Sequence, residues 1–139
     1  ASFDSLSNLV DSELKIGAVR GVSYSDEFEQ LRGNPKFDTN LVVLEERKRL
    51  PRMLLKGRID GYLDSEFGGQ FFIKEDIELQ EKIVMHSHVT TEQEAQTFLM
   101  FSKTAVTKRQ VAEFDKAILE VKRNGTHDNI LKAYGLKVY

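Results

Sequence analysis

Val19-Arg20-Gly21-Val22-Ser23-Tyr24 has the form of a strand that ends at a glycine turn and passes into a helix at a hydroxyl residue. A helix start of that kind presents unpaired backbone N–H groups and the positive end of the helix dipole, so it can hold a carboxylate or a phosphate. The same spacing suits a plain strand–turn–helix junction in which Ser23 only caps, and on spacing alone that is the commoner use. Asp60-Gly61-Tyr62-Leu63-Asp64-Ser65 is a second stretch that finishes where a strand should finish. There Asp64 or Ser65 can receive an ammonium group or a hydroxyl, although both residue types are also favoured helix caps. His86 and His88 stand at i and i+2, which places them on one face of a strand. A catalytic zinc site needs a third protein ligand and an open position, and no nearby His or Cys supplies one. The expectation for this pair is a solvated or lobe-facing strand surface without metal, and His127-Asp128 reads as surface too.

No arrangement for catalysis is recognisable. The chain has no cysteine, which excludes thiol catalysis, disulfides and thiolate metal sites. The G-x-S-x-G, P-loop and G-x-G-x-x-G patterns are absent, and no pair of acids stands in a recognisable acid–base motif. The reading is therefore non-enzymatic and without a cofactor. Lys and Arg are scattered among Asp and Glu for a net charge of −2, whereas a nucleic-acid surface needs a concentrated basic patch. No apolar run is long enough to span a bilayer. The opening Ala1-Ser2-Phe3-Asp4 shows no charged-then-apolar leader, as a mature secreted chain would also not. Glu45-Glu46-Arg47-Lys48-Arg49 reads as the solvated start of a helix.

The elements that must position these residues alternate. Leu14 to Val19 predicts a strand that Gly21 breaks, and Ser23 with Asp26 has the spacing of a capping box. Tyr24, Phe28 and Leu31 give the following helix one apolar face, and Gly33-Asn34-Pro35 ends it. Leu41-Val42-Val43-Leu44 is a continuous apolar run, as in a buried parallel strand. Leu50, Met53 and Leu54 mark a second helix, with Pro51 in its first turn and Gly57 at its end. Ile59 to Leu63 predicts a third strand, and Phe67, Phe71 and Phe72 suggest a helix over 65–73. Further strands are expected over Lys82 to Val89 and Gln96 to Ser102. Two helices follow, over 107–124 and 126–134. Thr107 and Gln110 form a capping box, Val111, Phe114, Ile118 and Val121 form a stripe, and Thr126 is a candidate cap for the second helix. The order implies an α/β fold with a mainly parallel sheet, whose ligands would sit beyond the carboxyl ends of the strands.

Four motifs in this order resemble the bacterial extracellular solute-binding proteins of family 3, the type II periplasmic receptors of amino-acid transporters. Lys15 to Tyr24 resembles the strand–glycine–helix opening of that family's second lobe, and Leu54-Leu55-Lys56-Gly57-Arg58-Ile59-Asp60-Gly61 its L-x-x-G-R-x-D-A element. Phe101-Ser102-Lys103 resembles the F-S-K of the strand that returns to the first lobe. Phe114 through Gly125-Thr126 to Gly135 resembles the terminal L-x-x-N-G-T-x-x-x-I-x-x-K-Y-G.

The resemblance implies a ligand-binding lobe two over residues 5–89. It implies a return strand and C-terminal helices of lobe one over 90–139, with most of lobe one outside the chain. It implies a periplasmic protein that closes about a hinge on a small polar solute, amino-acid-like or anionic, and passes it to the membrane permease of an ABC-type uptake system. A sensory input domain of a membrane-bound signalling protein is the alternative. Its ligand-binding residues would be Val19, Arg20, Gly21, Val22, Ser23, Tyr24, Asp64 and Ser65. Val22 stands where the family usually has Ser or Thr, and its acidic partner for a ligand amine aligns with Ser65, one position after Asp64. Two copies are expected to associate or exchange segments if apolar surface is left uncovered.

Overall fold

Ile16–Val19 (β1) lies at the centre of a three-stranded parallel sheet, between Leu41–Leu44 (β2) and Gly61–Tyr62 (β3). In this computed structural model the described residues are 5–86 and 99–135. The chain divides into two compact units, Ala1–Gln93 and Glu94–Tyr139. Ile16 pairs with Leu41 on one side and with Gly61 on the other, and Val19 reaches Leu44. Backbone bonds from Asp60 N–H to the Lys15 carbonyl (2.7 Å) and from Leu63 N–H to that of Gly17 (2.9 Å) continue the β3 pairing at both ends. The three strands thus fall inside the expected spans. β2 is an edge strand, so its apolar run is only half-buried and Val43 is exposed.

Alternation along β1 divides the core between two faces. Ile16 and Ala18 pack with Leu6, Leu9, Phe28 and Phe37, all buried. Gly17 faces the other way, toward Leu50, Ile59 and Tyr62. Helices cover the first face as Asp26–Leu31 (α1) and Pro35–Asn40 (α2), and Leu50–Leu55 (α3) covers the second. Among the described residues this is an α/β unit wound on both faces of a small parallel sheet.

Several local expectations are corrected. The cap of α1 is Ser25, whose Oγ accepts the Phe28 N–H at 3.1 Å, and Ser23 lies in the irregular segment before it. Gly33-Asn34-Pro35 ends one helix and starts the next. Asn34 accepts the Lys36 N–H at 3.0 Å, and Pro35 supplies the first turn of α2. The strand expected from Lys82 is not formed over the described residues. Ile77–Lys82 is a helix (α5) that Asp76 caps by accepting the Glu78 N–H at 2.9 Å, and 83–86 belongs to no strand. Positions 87–89 of the expected strand lie outside the described residues. The aromatic helix is present as Glu66–Glu75 (α4), two residues longer at its end than expected, with Ser65 as cap.

In the second unit, 99–102 forms no strand and 96–98 lies outside the described residues. Lys108–Arg123 (α6) carries the expected capping box, with Thr107 N–H donating to Gln110 Oε1 at 2.9 Å and Gln110 N–H to Thr107 Oγ1 at 3.3 Å. Thr126 is the first residue of Thr126–Ala133 (α7) rather than its cap. The Asn124 side chain accepts the Thr126 N–H at 3.0 Å instead.

The N-terminal turn Leu6–Leu9 is held to α1 by one carboxylate. Glu27 accepts from Ser7 N–H at 2.9 Å, Ser7 Oγ at 2.7 Å and Leu6 N–H at 3.2 Å. Burial by itself raises the Glu27 pKa, but these hydrogen bonds outweigh it and hold the group below its ordinary 4.5. A lowered folded-state pKa contributes stability in full above the unfolded value and loses it as pH falls through the folded one. Thermal midpoints should therefore fall from about pH 4.5 downward, and more steeply in the wild type than in Glu27→Gln. The substitution should itself cost about 1 kcal/mol at pH 7. Identical acid slopes for the two proteins would show that Glu27 does not make this clamp.

Candidate functional site

All three strands end at one edge of the sheet, and the segment after each supplies part of a single cluster. Tyr24 follows β1, Arg47 follows β2 in the turn Arg47–Arg49, and Asp64-Ser65 follow β3. The chain leaves β1 toward β2, whereas β3 lies on the opposite side of β1. Such a reversal of strand order opens a crevice beyond the carboxyl ends, where ligands of open α/β sheets bind.

Asp64 and Arg47 form a two-pronged ion pair. Arg47 Nε donates to Asp64 Oδ2 at 3.1 Å, and Nη2 makes a close contact with Oδ1. Oδ1 also accepts the Ser65 N–H at 2.7 Å. The guanidinium lies 5.3 Å from the centroid of the Phe72 ring, within range of a cation–π attraction. It also rests on the first turn of α4, where a Cβ on Gly68 would fall inside it. Glycine in this turn weakens α4, and this close approach is what it permits. Ser65 Oγ accepts the Gly68 N–H at 3.2 Å and is 3.4 Å from Arg47 Nη2.

Two tyrosines flank the pair. Tyr24 Oη accepts the Val19 N–H at 2.8 Å, and its ring meets Phe28 edge-on at 5.1 Å. Burial raises the Tyr24 pKa, the Val19 bond opposes this, Asp64 adds to it and Arg47 reduces it. Tyr62 is raised by burial and by Asp64, against Arg47. Both phenols keep their protons at neutral pH, so each has an O–H to offer a ligand. Tyr24 in particular accepts from the backbone and retains its own hydrogen to give.

The expected site residues divide. Tyr24, Asp64 and Ser65 belong to the cluster, and Val19 orients Tyr24 through its N–H. Arg20 does not join them. Its backbone N–H bonds the Leu44 carbonyl at 2.8 Å, and its side chain pairs with Glu45 at 2.5 Å, both well exposed. Arg20 and Gly21 form a turn closed by Val22 N–H, which donates to the Val19 carbonyl at 3.2 Å, so that N–H is already spent. Ser23 is exposed and caps nothing. The helix start expected at 22–24 lies instead at Asp26, and its first turn is acidic with Asp26, Glu27 and Glu29. Those side chains already complement the dipole there, which leaves α1 unsuited to an anion.

Arg47, Tyr62, Gly68 and Phe72 are the members that sequence reasoning missed. Two signals pointed to them: Arg47 follows a parallel strand directly, and two glycines stand early in a helix. His86 is exposed, and no group of three metal-ligating side chains occurs among the described residues. His88 lies outside them. His127 Nδ1 is 3.2 Å from Asp128 Oδ1 in an exposed contact. Comparison with protein-family models, with curated proteins and with solved structures finds no match, so the cluster at the carboxyl edge stands on its own geometry.

Proposed function

We propose that this chain is a non-enzymatic ligand-binding lobe that closes on a small polar solute at the carboxyl edge of its parallel sheet. In this reading it is the substrate-binding component of an ABC-type uptake system, of the type II periplasmic kind. It works outside the cytoplasmic membrane and hands its solute to a permease. The observation that carries the reading is the convergence of Tyr24, Arg47, Tyr62 and Asp64 at the point where the strand order reverses. The four motifs that resemble family 3 support it as well, since two of them span β1 and the segment leading into β3. An oriented ion pair, two protonated phenols and an aromatic ring suit recognition of a polar molecule. None of them is a nucleophile paired with a base.

The test is a thermal-shift screen of the chain against amino acids, polyamines, small dicarboxylates and sugars. A solute at a hundred times its dissociation constant stabilises the native state by about 2.7 kcal/mol. The expected result is a raised midpoint with one class, reduced in Gly68→Ala, where the added methyl displaces the Arg47 guanidinium. No stabilisation by any of the four classes would remove the receptor reading.

A further inference from the structure

Given the solute-binding reading, we propose that Arg47 is the anchoring group of the site and that the solute carries an oxyanion, a carboxylate or a phosphate. Asp64 acts as a positioning residue that aims the guanidinium, not as the acceptor of a ligand ammonium group.

Asp64 has little left to offer a ligand cation. A carboxylate has about four lone-pair directions. Here Oδ2 is taken by Arg47 Nε, and Oδ1 by both Arg47 Nη2 and Ser65 N–H. Its side chain is 12% exposed, against 41% for Arg47. The pair is formally neutral, so exposure decides: the anion is the more buried partner and the cation the more exposed one. The fork uses the Nε and Nη2 edge, which leaves Nη1 outside it. Ser65, the other acceptor expected from sequence, accepts from the Gly68 N–H and from Arg47 Nη2, which takes both lone pairs of its Oγ.

The neighbours of the guanidinium point the same way. It lies along one face of α4, over Gly68 and Phe72, which stand four positions apart. With Asp64 on a third side it is held in one orientation, so little side-chain freedom remains to be lost on binding. The start of the ten-residue helix α4 adds its positive dipole end beside the guanidinium. Glu66, in the same turn, accepts from Gln70 Nε2 along the helix at 3.0 Å. Tyr24 and Tyr62 add phenolic donors. A planar guanidinium edge with hydroxyl donors beside it matches an oxyanion, whereas an ammonium group would meet a like charge there.

The test measures equilibrium binding of succinate, inorganic phosphate, glutamine and putrescine to the chain and to Arg47→Gln, Arg47→Lys, Gly68→Ala and Asp64→Asn. The expected result is binding of succinate or phosphate and none of putrescine. Arg47→Gln should raise the dissociation constant at least tenfold, with Arg47→Lys and Gly68→Ala between it and the wild type. Asp64→Asn should weaken binding of succinate or phosphate less than Arg47→Gln does, because its amide oxygen keeps one of the two acceptors that aim the guanidinium. Gly68→Ala leaves Arg47 in place chemically, so it decides the matter if Arg47→Gln fails to fold. Binding of glutamine or putrescine that is lost in Asp64→Asn and tightened in Arg47→Gln would overturn the inference while leaving the receptor reading intact. Equal loss in both variants would also overturn it. No binding of any probe would overturn the inference, and the receptor reading falls with it when the sugars of the thermal-shift screen fail as well.

Discussion

Phe37→Ala should destabilise the first unit by about 3–5 kcal/mol, the largest effect expected of any single side chain in it. Phe37 is fully buried, and it comes from the short helix α2 rather than from the sheet. Its ring meets Phe28 edge-on, with centroids 5.9 Å apart and planes at 74°, a geometry that adds to simple area burial. Phe28 in turn supports Tyr24, so a chain of three rings links the deepest residue of this face to the rim of the candidate site. Truncation would remove the transfer energy of the ring and leave a cavity beneath Ile16 and Ala18. Urea unfolding would show it as a lower midpoint, with the slope unchanged if the transition remains two-state. A loss below 1 kcal/mol would mean that the cluster collapses around the gap. Tyr24 would then be less firmly supported than the ring geometry implies.

Gly17→Ala is expected to cost about 1–3 kcal/mol through the opposite fault, overpacking. The added Cβ would stand 2.5 Å from Leu50 Cδ2, 2.9 Å from Ile59 Cδ1 and 3.2 Å from Tyr62 Cβ. Leu50 and Ile59 are themselves fully buried, so their ends have little room to swing away. Relief must come partly from β3 moving off β1, and β3 carries Tyr62 and leads directly to Asp64. The substitution should therefore weaken solute binding together with stability, whereas Phe37→Ala should act mainly on stability. Paired denaturation and binding measurements separate the two cases. An unchanged unfolding midpoint in Gly17→Ala would show that Leu50 repacks freely.

The two substitutions probe opposite faces of β1, and the faces differ in how openly the sequence announced them. Phe28 was placed on its helix by spacing, and Leu50 likewise. Phe37 was not, because Gly33-Asn34-Pro35 reads as a terminator and only its Asn-Pro pair signals a new start. Over the described part of the strand expected at 82–89, residues 83–86 join no strand, and Asp76 as a cap with the Glu78–Lys82 pair at 2.9 Å favours helix up to Lys82. Ser23 and Ser25 offer two hydroxyls within one turn, and the chain caps α1 with the later one, leaving 22–24 before the helix. That shift of two residues is what removed the expected anion site at the head of α1.

What the sequence determined by itself are features governed by near neighbours: apolar runs for β1 to β3, the periodicity of α3 and α6, the Thr107–Gln110 box, and the position of Asp64 just past a strand. These depend on residues a few positions apart, so they are legible along the chain. The pairing of Arg47 with Asp64 depends instead on the sheet order β2-β1-β3, which brings the ends of two non-adjacent segments to the same edge. Arg47 within a run of five charges looks like solvated surface until a partner is placed across the crevice. Only the tertiary structure decided that partner. It also decided that Asp64 is turned inward and engaged, because burial and pairing are set by long-range packing that no local spacing encodes.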